Sequence, residues 1–282
     1  MIDRRRARRA EGATMARRFN DQVVIVTGGG RGIGRATALE FAAEGAKLVL
    51  AGRRLDALRT TAGEVADAGG TATVVHCDVA IEEQRNALIG KTIKRHGKID
   101  VLVNNAGVVA GGRLDEIDPD DIRRMVEVNI WAVIRLTQLA LPHMRGAKRG
   151  TIVNVSSLAG RIGVPYYATY SASKFALRGF SEAMRRELRP DGIHVVGVYP
   201  GGTATDMIEN VEFDRFGLGV ATAQQVGRAI LRGVRWRQPE VFIGPGEGLM
   251  SRWNDVMPWT VDYGVDVVRD RMQEAVAKQR TT

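Results

Sequence analysis

The sequence predicts an α/β fold, a single domain built on one parallel, doubly wound sheet with helices on both faces. Short apolar runs alternate along the chain with longer segments whose apolar residues recur at helical spacing. The first run, Val-Val-Ile-Val at residues 23–26, is apolar and β-branched throughout, as expected of a strand that is buried on both faces. With 282 residues, 44% of them hydrophobic, the chain can bury a sizeable core.

The remaining elements follow from the same alternation. Further strands are predicted at residues 47–51, 72–76, 99–103, 151–155, 193–199 and 240–243. Helices are predicted to run through Glu44, from Leu55 to Gly69, through His96, from Asp118 past Asn129, from Tyr167 to Leu188 and over residues 223–235. Asp118 and Pro119 open their helix with a capping acid and a proline at the first position.

Several classes of protein are excluded by composition. The single cysteine, Cys77, rules out a disulfide framework and a cysteine-based metal cluster, and the four histidines are not paired at ligand spacing. We therefore expect no metal site, and we expect Cys77 to be a small core residue rather than a nucleophile. Apolar runs stay shorter than the ~18 residues of a membrane span. The expected location is the cytoplasm.

The net charge of +9 is concentrated at the N-terminus. Residues 1–18 hold seven arginines against Asp3 and Glu11, so they carry +5 of the total. We expect this basic tail to be disordered, and Met15 is an alternative start of the native protein. It is Arg-rich like a transit peptide, but it has no serine and carries acids. No basic stripe continues downstream, so a nucleic-acid partner is not expected.

A glycine-rich turn follows the first strand. Residues 27–34 read TGGGRGIG and lead straight into a helix, which fits the pattern T-G-x-x-x-G-x-G. Glycines allow the backbone to approach a pyrophosphate, whose charge is favoured at the helix N-terminus. The cofactor-binding residues expected in this turn are Gly28, Gly30, Arg31, Gly32, Ile33 and Gly34.

A second pattern lies between residues 153 and 174. Tyr170 and Lys174 are four residues apart, so they share one face of the predicted helix. Ser157 follows a strand, at the sheet edge where open α/β proteins place their ligands. A free tyrosine titrates near ~10, and a nearby ammonium lowers its pKa, which suits proton exchange. The sequence therefore predicts a site for proton transfer.

Together these residues resemble the short-chain dehydrogenase/reductase family, in its shorter, single-domain branch. The resemblance covers about residues 22–244 and includes the run Asn104-Asn105-Ala106-Gly107. The family's catalytic serine lies thirteen positions before the tyrosine, which selects Ser157 over Ser156. The resemblance implies a Rossmann-type sheet of seven strands in the order 3-2-1-4-5-6-7. It also implies a homodimer or homotetramer assembled through the helices of Asn129 and Tyr170.

The resemblance assigns roles to particular residues. Asn129, Ser157, Tyr170 and Lys174 are the expected catalytic residues, with Asn129 holding a water that connects the lysine to solvent. The further cofactor-binding residues that it implies are Asp78, Val79, Asn105, Ala106, Gly107, Tyr170, Lys174, Pro200, Gly201, Thr203 and Thr205. Two alternatives stay open: Asp78 as a simple turn residue, and Asn129 as an ordinary buried, hydrogen-bonded amide.

The expected activity is that of an oxidoreductase that interconverts a ketone or aldehyde with a secondary or primary alcohol by hydride transfer, with Tyr170 as general acid and base. NADP(H) is expected over NAD(H). Gly52 stands where an acid would bind the adenosine ribose, and Arg53, Arg54 and Arg31 can receive a 2′-phosphate.

Two other functions are considered. A nucleotide-sugar epimerase or dehydratase would use similar groups, but it would want a glycine at position 31, where this chain has arginine, and a larger substrate domain. A non-catalytic cofactor-binding protein would be expected to lack members of the catalytic set. Both are less favoured than the oxidoreductase.

The substrate and the C-terminus are less determined by the sequence. Residues 206–220 are expected to form an apolar lid, and Val108, Val109, Val164 and Tyr167 favour a fairly apolar substrate, although Arg161 could receive an acid.

The extension at residues 245–282 is expected to be partly helical, with a final helix over residues 265–277. It could cover the cleft, pad a subunit interface or rest on a membrane, and the first two are favoured.

Overall fold

The computed structural model describes residues 18–204, 220–244 and 246–264, together with residues 266 and 269. The basic tail up to residue 17, the expected lid apart from Val220, and nearly all of the expected final helix lie outside these residues. Within the described part of the chain, no helix combines the length and the hydropathy of a membrane span.

The fold is centred on a parallel sheet of seven strands. Their order is β3-β2-β1-β4-β5-β6-β9, which confirms the predicted order 3-2-1-4-5-6-7. The nine strands of the described residues are β1 (Val23–Thr27), β2 (Lys47–Gly52), β3 (Thr71–His76), β4 (Val101–Asn104), β5 (Gly150–Val155), β6 (Ile193–Tyr199), β7 (Thr203–Ala204), β8 (Ala221–Thr222) and β9 (Glu240–Phe242). Strand β1 pairs with β2 on one side and β4 on the other, so the chain reverses direction across the sheet there.

Helices cover both faces of the sheet, as predicted. The helices of the described residues are α1 (Gly32–Ala43), α2 (Leu55–Asp67), α3 (Glu82–His96), α4 (Pro119–Val126), α5 (Ala132–Ala147), α6 (Ala168–Glu187), α7 (Ala223–Arg235) and α8 (Glu247–Val256). The Asp118 carboxylate accepts a hydrogen bond of 2.8 Å from the backbone N–H of Asp120, and Pro119 is the first residue of α4. This confirms the predicted cap.

The alternation of side chains along β1 divides the interior into two cores. Val24 and Val26 face a core shared with α1, α2 and α7, whereas Val23 and Ile25 face a core shared with α3 and α5. Cys77 belongs to the second core, and its burial raises the pKa of its thiol to about 11. The expectation that Cys77 is a core residue rather than a nucleophile is consistent with this position.

One predicted helix is interrupted. The helix expected from Asp118 past Asn129 is instead α4, a single π-turn over Glu127–Trp131, and then α5. In the π-turn the backbone N–H of Ala132 donates to the carbonyl of Glu127, five residues back rather than four. Periodicity does not reveal a one-residue insertion in a helix, so the sequence prediction missed it. Such turns are frequent at functional sites.

Two features lie outside the predicted elements. Strands β7 and β8 pair as a two-stranded ladder, which brings together the chain on either side of residues 205–219. Helix α8 begins the C-terminal extension, and residues 258–264 are helical as well. The expected cofactor residue Thr205 falls in the part that the structure does not describe.

Helices α1 and α7 are in close contact at Gly227. A Cβ there would lie 2.9 Å from the carbonyl carbon of Ala36 and 3.0 Å from the backbone nitrogen of Thr37. We expect Gly227→Ala to lower the free energy of unfolding by about 1–3 kcal/mol, because the two backbones must move apart. Urea unfolding measures this change.

Gly90 provides a matched control within a helix interior. It is exposed on α3, and a Cβ there would meet no atom within 4 Å. Gly90→Ala should therefore stabilise the protein by about 0.5–1 kcal/mol, the difference in helix propensity between the two residues. If Gly227→Ala gains stability as Gly90→Ala does, the inference that the α1 and α7 backbones are in close contact is wrong.

Candidate active site

A cleft of about 280 Å³ opens at the carboxyl ends of the central strands. Ligands of open α/β sheets bind in this position, beside the strand at which the order reverses. Its described lining includes most of the residues that the sequence predicted: Gly28, Gly30, Arg31, Gly32, Ile33, Arg53, Arg54, Asp78, Val79, Asn105, Ala106, Gly107, Ser157, Tyr170, Lys174, Pro200, Gly201 and Thr203. Gly34 and Asn129 lie behind this lining rather than in it.

The loops after β1 and β4 are joined by hydrogen bonds around Thr27. Its hydroxyl oxygen accepts the backbone N–H groups of Asn105 at 2.9 Å and Ala106 at 3.0 Å, and it donates to the carbonyl of Val103 at 3.2 Å. The side-chain amide of Asn105 donates back to the Thr27 carbonyl at 2.8 Å. The Gly-rich turn and the Asn-Asn-Ala-Gly run are thus fixed to each other.

The Gly-rich turn has the close backbone approach that a pyrophosphate site needs. A Cβ on Gly34 would lie 2.2 Å from the carbonyl oxygen of Gly28 and 2.6 Å from the side-chain nitrogen of Asn105. Gly28 has φ +66°, which favours glycine. Arg31, at the N-cap of α1, makes no side-chain capping bond to the first turn of the helix, which starts at the cleft. These residues fit a dinucleotide phosphate.

Ser156 and Ser157 have different surroundings, and these explain the choice between them. The hydroxyl of Ser156 donates to the backbone carbonyl of Lys174 at 3.0 Å and is buried, so it fastens β5 to α6. The hydroxyl of Ser157 is hydrogen-bonded to the side chain of Tyr170 and accepts the N–H of Ala159 at 3.1 Å. Ser157 is therefore the serine that contacts the tyrosine.

Lys174 is buried beneath the cleft. Its side chain is 5% exposed, and its Nζ donates to the carbonyl of Val155 at 3.1 Å. Burial lowers the pKa of its ammonium to about 8. The Nζ atom lies 5.7 Å from the centre of the Tyr170 ring, within range of a cation–π contact.

The expected lowering of the tyrosine pKa by Lys174 is not found in this structure. Desolvation raises the pKa of the Tyr170 phenol to about 12, the hydrogen bond with Ser157 opposes this rise, and Tyr167 adds to it. Burial disfavours the phenolate more strongly than the hydrogen bond favours it. The phenol is therefore protonated at neutral pH in the protein alone.

Asn129 connects the loop after β4 to helix α6. Its side-chain oxygen accepts the N–H of Val108 at 2.9 Å, and its amide nitrogen donates to the Val108 carbonyl at 2.9 Å and the Ser173 hydroxyl at 3.0 Å. A Cβ on Gly107 would lie 3.3 Å from the Asn129 oxygen and 3.6 Å from Nζ of Lys174. The buried amide is thus well satisfied by the protein itself, which both expectations allow, and its role in ordering water stays a prediction.

Asp78 is both a turn residue and a cleft residue. Its Oδ1 accepts the N–H of Ala80 at 3.0 Å, and its Oδ2 accepts a hydrogen bond of 2.8 Å from the guanidinium of Arg124. Burial favours the protonated acid, but the hydrogen bonds from Ala80 and Arg124 and the charges of Arg124 and Arg53 together lower the pKa of this carboxyl. Asp78 is therefore ionised at neutral pH.

Sequence reasoning missed Arg124, which lines the cleft from α4. Its partner is 46 residues away in the chain, so no local pattern pairs the two. One signal was available: Arg124 precedes Val128 by four residues, so the two share a helix face next to Asn129. Other lining residues that the sequence did not indicate are Ala57, Leu58, Val128, Val155 and Ser156, whereas Gly52 and Val108, which it associates with the ribose and the substrate, also line the cleft.

Arg161 is not a substrate receptor. Its guanidinium is buried, forms a 2.8 Å ion pair with Glu240 and donates to the Ser251 hydroxyl at 2.6 Å. It also lies over the rings of Tyr199 and Phe242, at 5.1 and 5.5 Å from their centres. The expectation that it could receive an acid is wrong, because the protein itself provides its carboxylate. Its contacts instead attach α8 to β6 and β9.

Helix α8 begins beside the cleft. The buried carboxylate of Glu247 accepts the N–H groups of Ile243 at 2.9 Å and Gly244 at 2.8 Å. A Cβ on Gly201 would lie 2.5 Å from Oε1 of the same carboxylate. The C-terminal extension therefore packs against the loop that follows β6.

The fold and the cleft define the class of protein. A doubly wound parallel sheet with a Gly-rich turn and a helix N-terminus at its reversal point is a dinucleotide-binding architecture. The family model described as short chain dehydrogenase matches residues 22–215. The chain belongs to the short chain dehydrogenase family, whose members are oxidoreductases that use a nicotinamide cofactor and act on small molecules.

Relatives named for an activity match most of the chain. A 3-oxoacyl-[acyl-carrier-protein] reductase of Synechocystis is 38% identical over 67% of this chain and 77% of its own length. An 11-beta-hydroxysteroid dehydrogenase-like protein of Arabidopsis thaliana is 34% identical over 87% of this chain and 80% of its own. A solved short chain dehydrogenase of Burkholderia phymatum, in complex with NAD, is 28% identical with a TM-score of 0.78, covering 84% of this chain and 94% of its own.

The buried charge of Lys174 predicts a stability change with a defined pH dependence. Lowering the pKa of the ammonium from ~10.4 to about 8 lowers the free energy of unfolding by roughly 3 kcal/mol. The hydrogen bond from Nζ to the carbonyl of Val155 offsets about 1 kcal/mol of this loss. Lys174→Met should therefore raise the free energy of unfolding by about 2 kcal/mol at pH 7. Urea unfolding at several pH values measures it.

The sign of the pH dependence follows from protonation of the two states. Below pH 8 both states carry the charge and the wild type bears the full penalty. From pH 8 to ~10.4 only the unfolded state binds the proton, so wild-type stability rises with pH and the variant's gain shrinks. Lys91→Met, at an exposed position on α3, is the control and should change little. A gain at Lys174 that is independent of pH would contradict the prediction.

Proposed function

We propose that this protein is an NADP(H)-dependent oxidoreductase that interconverts a ketone or aldehyde with a secondary or primary alcohol, with Tyr170 as general acid and base. The observation that carries the proposal is the hydrogen bond between the Ser157 and Tyr170 side chains. Both residues line the same cleft as the Gly-rich turn. Lys174 lies directly beneath them. This arrangement suits a carbonyl held next to a dinucleotide.

The nicotinamide, when bound, supplies or accepts the hydride. In the reductive direction, the Ser157 hydroxyl holds the substrate oxygen and the Tyr170 phenol donates its proton to it. A phenol pKa of about 12 keeps Tyr170 protonated and ready to donate at neutral pH. With the cofactor bound, Lys174 would hold the nicotinamide ribose. Asn129 positions the helix that carries Tyr170 and Lys174.

The proposed substrate is a small, fairly apolar molecule. Val108 and Val155 contribute apolar lining to the cleft, and Arg161, which was expected to be able to receive an acid, is paired with Glu240. The similarity to the 3-oxoacyl-[acyl-carrier-protein] reductase of Synechocystis is consistent with an acyl-type carbonyl. The identity of the carbonyl is therefore best sought among uncharged ketones.

We further propose a homodimer or homotetramer that uses the helices of Asn129 and Tyr170. Three large apolar side chains on these helical segments are exposed in the single chain: Val126 at 50%, Trp131 at 45% and Phe175 at 38%. Exposed apolar residues of this size on adjoining helices favour burial against another copy.

A nucleotide-sugar epimerase or dehydratase and a non-catalytic cofactor-binding protein remain the alternatives. Arg31 contributes its side chain where the first alternative would want a glycine. The second would lack members of the catalytic set, whereas Asn129, Ser157, Tyr170 and Lys174 are all present. Both alternatives are therefore less favoured, and turnover of a ketone excludes the second.

Tyr170→Phe tests the assigned acid and base. Loss of the phenolic proton should lower kcat about 10²–10⁴-fold on a ketone that the wild type reduces, with NADPH binding retained. Tyr263→Phe, at a side chain 76% exposed, is the matched control and should keep full turnover. The wild-type oxidation rate should rise with pH above neutrality, since the phenolate forms only towards pH 12. Near-normal turnover by Tyr170→Phe would refute the role.

The cofactor preference rests on the end of β2. Arg53 and Arg54 are exposed at the cleft and form no ion pair within the described residues, and Gly52 puts no carboxylate there. Each guanidinium contact to a 2′-phosphate is worth ~1–2 kcal/mol, so two favour NADP(H) by roughly a hundredfold. The Burkholderia relative was solved with NAD, which makes this preference a specific feature to be tested in this chain.

Measuring kcat/KM with NADPH and NADH decides the preference. The wild type should favour NADPH by about a hundredfold, and Gly52→Asp combined with Arg53→Ala should shift it towards NADH, because the new carboxylate repels the phosphate. Arg59→Ala, on the exposed side of α2, is the matched control. Equal wild-type values, or a double variant that still favours NADPH, would refute this reading of the arginines.

A further inference from the structure

The ion pair between Arg124 and Asp78 joins α4 to the loop after β3. The two charged groups are 2.8 Å apart and both line the cleft. Their side chains are 38% and 17% exposed, so the pair is partly shielded from solvent. Shielding strengthens a charge-assisted hydrogen bond relative to one on the open surface.

The position of the Asp78 loop is fixed by three neighbours. The backbone N–H of Asp78 donates to Oε1 of Gln84 at 2.7 Å, and Oδ1 of its carboxylate accepts the N–H of Ala80 at 3.0 Å. Arg124 holds the remaining oxygen, Oδ2. A carboxylate oxygen has two acceptor positions, so each oxygen can still receive one further donor from the cleft.

Arg124 is itself held in a rigid part of the fold. Helix α4 starts at the Asp118 cap and continues into the π-turn, in which Val128 lines the same cleft. The neighbouring loop residue, Val79, is held from the other side, since its carbonyl accepts a 2.6 Å bond from the fully buried Arg85. The loop of Asp78 and Val79 is therefore clamped between α3 and α4.

We infer that Arg124 is a positioning residue of the dinucleotide site, which holds the Asp78 carboxylate in the orientation that receives the exocyclic amino group of adenine. This inference rests on the proposed function and on the resemblance to the family, which implies that the Asp78 carboxylate and the Val79 backbone flank the adenine. Arg124 thereby sets the preference for adenine over a purine with an oxygen at the same carbon. A carboxylate accepts from an amino group but not from a carbonyl.

A double-mutant cycle on the purified full chain tests the inference. Kd for NADPH and for its hypoxanthine analogue is measured by nicotinamide fluorescence for the wild type, Arg124→Met, Asp78→Asn and the double variant, together with each melting temperature. Arg124→Met should weaken NADPH binding about tenfold and reduce the preference for adenine, since the carboxylate loses its orientation. The double variant should bind no more weakly than Asp78→Asn alone, because Arg124 acts through that carboxylate.

Two further variants separate positioning from stability and from general charge. Arg123→Met removes the neighbouring arginine, whose partner is the exposed Asp120 at 2.7 Å, and should leave both Kd values unchanged. Arg124→Lys keeps the charge and should recover part of the affinity. A purely structural role would lower the melting temperature without changing the adenine preference, and that result overturns the inference.

The remaining outcomes distinguish the inference from the function beneath it. Wild-type protein that binds NADPH, with Arg124→Met binding equally well, overturns the inference alone. Additive effects of Arg124→Met and Asp78→Asn overturn it too, because Arg124 would then contact the ligand independently. Wild-type protein that binds neither NADPH nor NADH overturns both the proposed function and the inference.

Discussion

The cleft depends on the hydrogen bonds of the Thr27 hydroxyl. This one oxygen ties the end of β1 to the start of the loop after β4, and Asn105 returns a bond to the Thr27 carbonyl. Strands β1 and β4 are neighbours where the sheet order reverses, so the loops that leave them diverge to opposite sides. The hydrogen bonds at Thr27 fix the separation of these two loops and therefore the width of the cleft.

The end of the cleft that contains Ser157, Tyr170 and Lys174 is held in place by contacts within the chain before any ligand binds. Ser156 binds the α6 backbone, Asn129 binds the loop at Val108 and the hydroxyl of Ser173, and Lys174 binds the Val155 carbonyl. Such support preorganises the reacting groups, so less order has to be created on binding. It also removes an ammonium from water, which opposes folding. The site is thus more exact and less stable than an apolar one would be.

The sheet could be predicted from the sequence, but the contacts between residues far apart in the chain could not. The strands and most of the residues that line the cleft followed from short patterns, because each pattern lies within one strand–loop–helix unit, whereas the strand order followed from the family resemblance. The Arg124–Asp78 and Arg161–Glu240 pairs join residues 46 and 79 positions apart, which only the folded chain brings together. The tyrosine pKa was misjudged for a similar reason. Burial dominates it, and burial is a property of the whole fold.

The π-turn at Glu127–Trp131 has a consequence for how this helix can change in evolution. One extra residue in a helix rotates everything beyond it by ~100°. The apolar face of α5, with Val133, Leu136, Ala140 and Met144 in the core, is in register with the sheet because the π-turn absorbs that residue. Removing one residue from this turn would let α4 and α5 join as one continuous α-helix with the same face towards the core, whereas a further inserted residue would turn that face towards solvent. The segment can therefore lose its extra residue without repacking the core, but it cannot gain another.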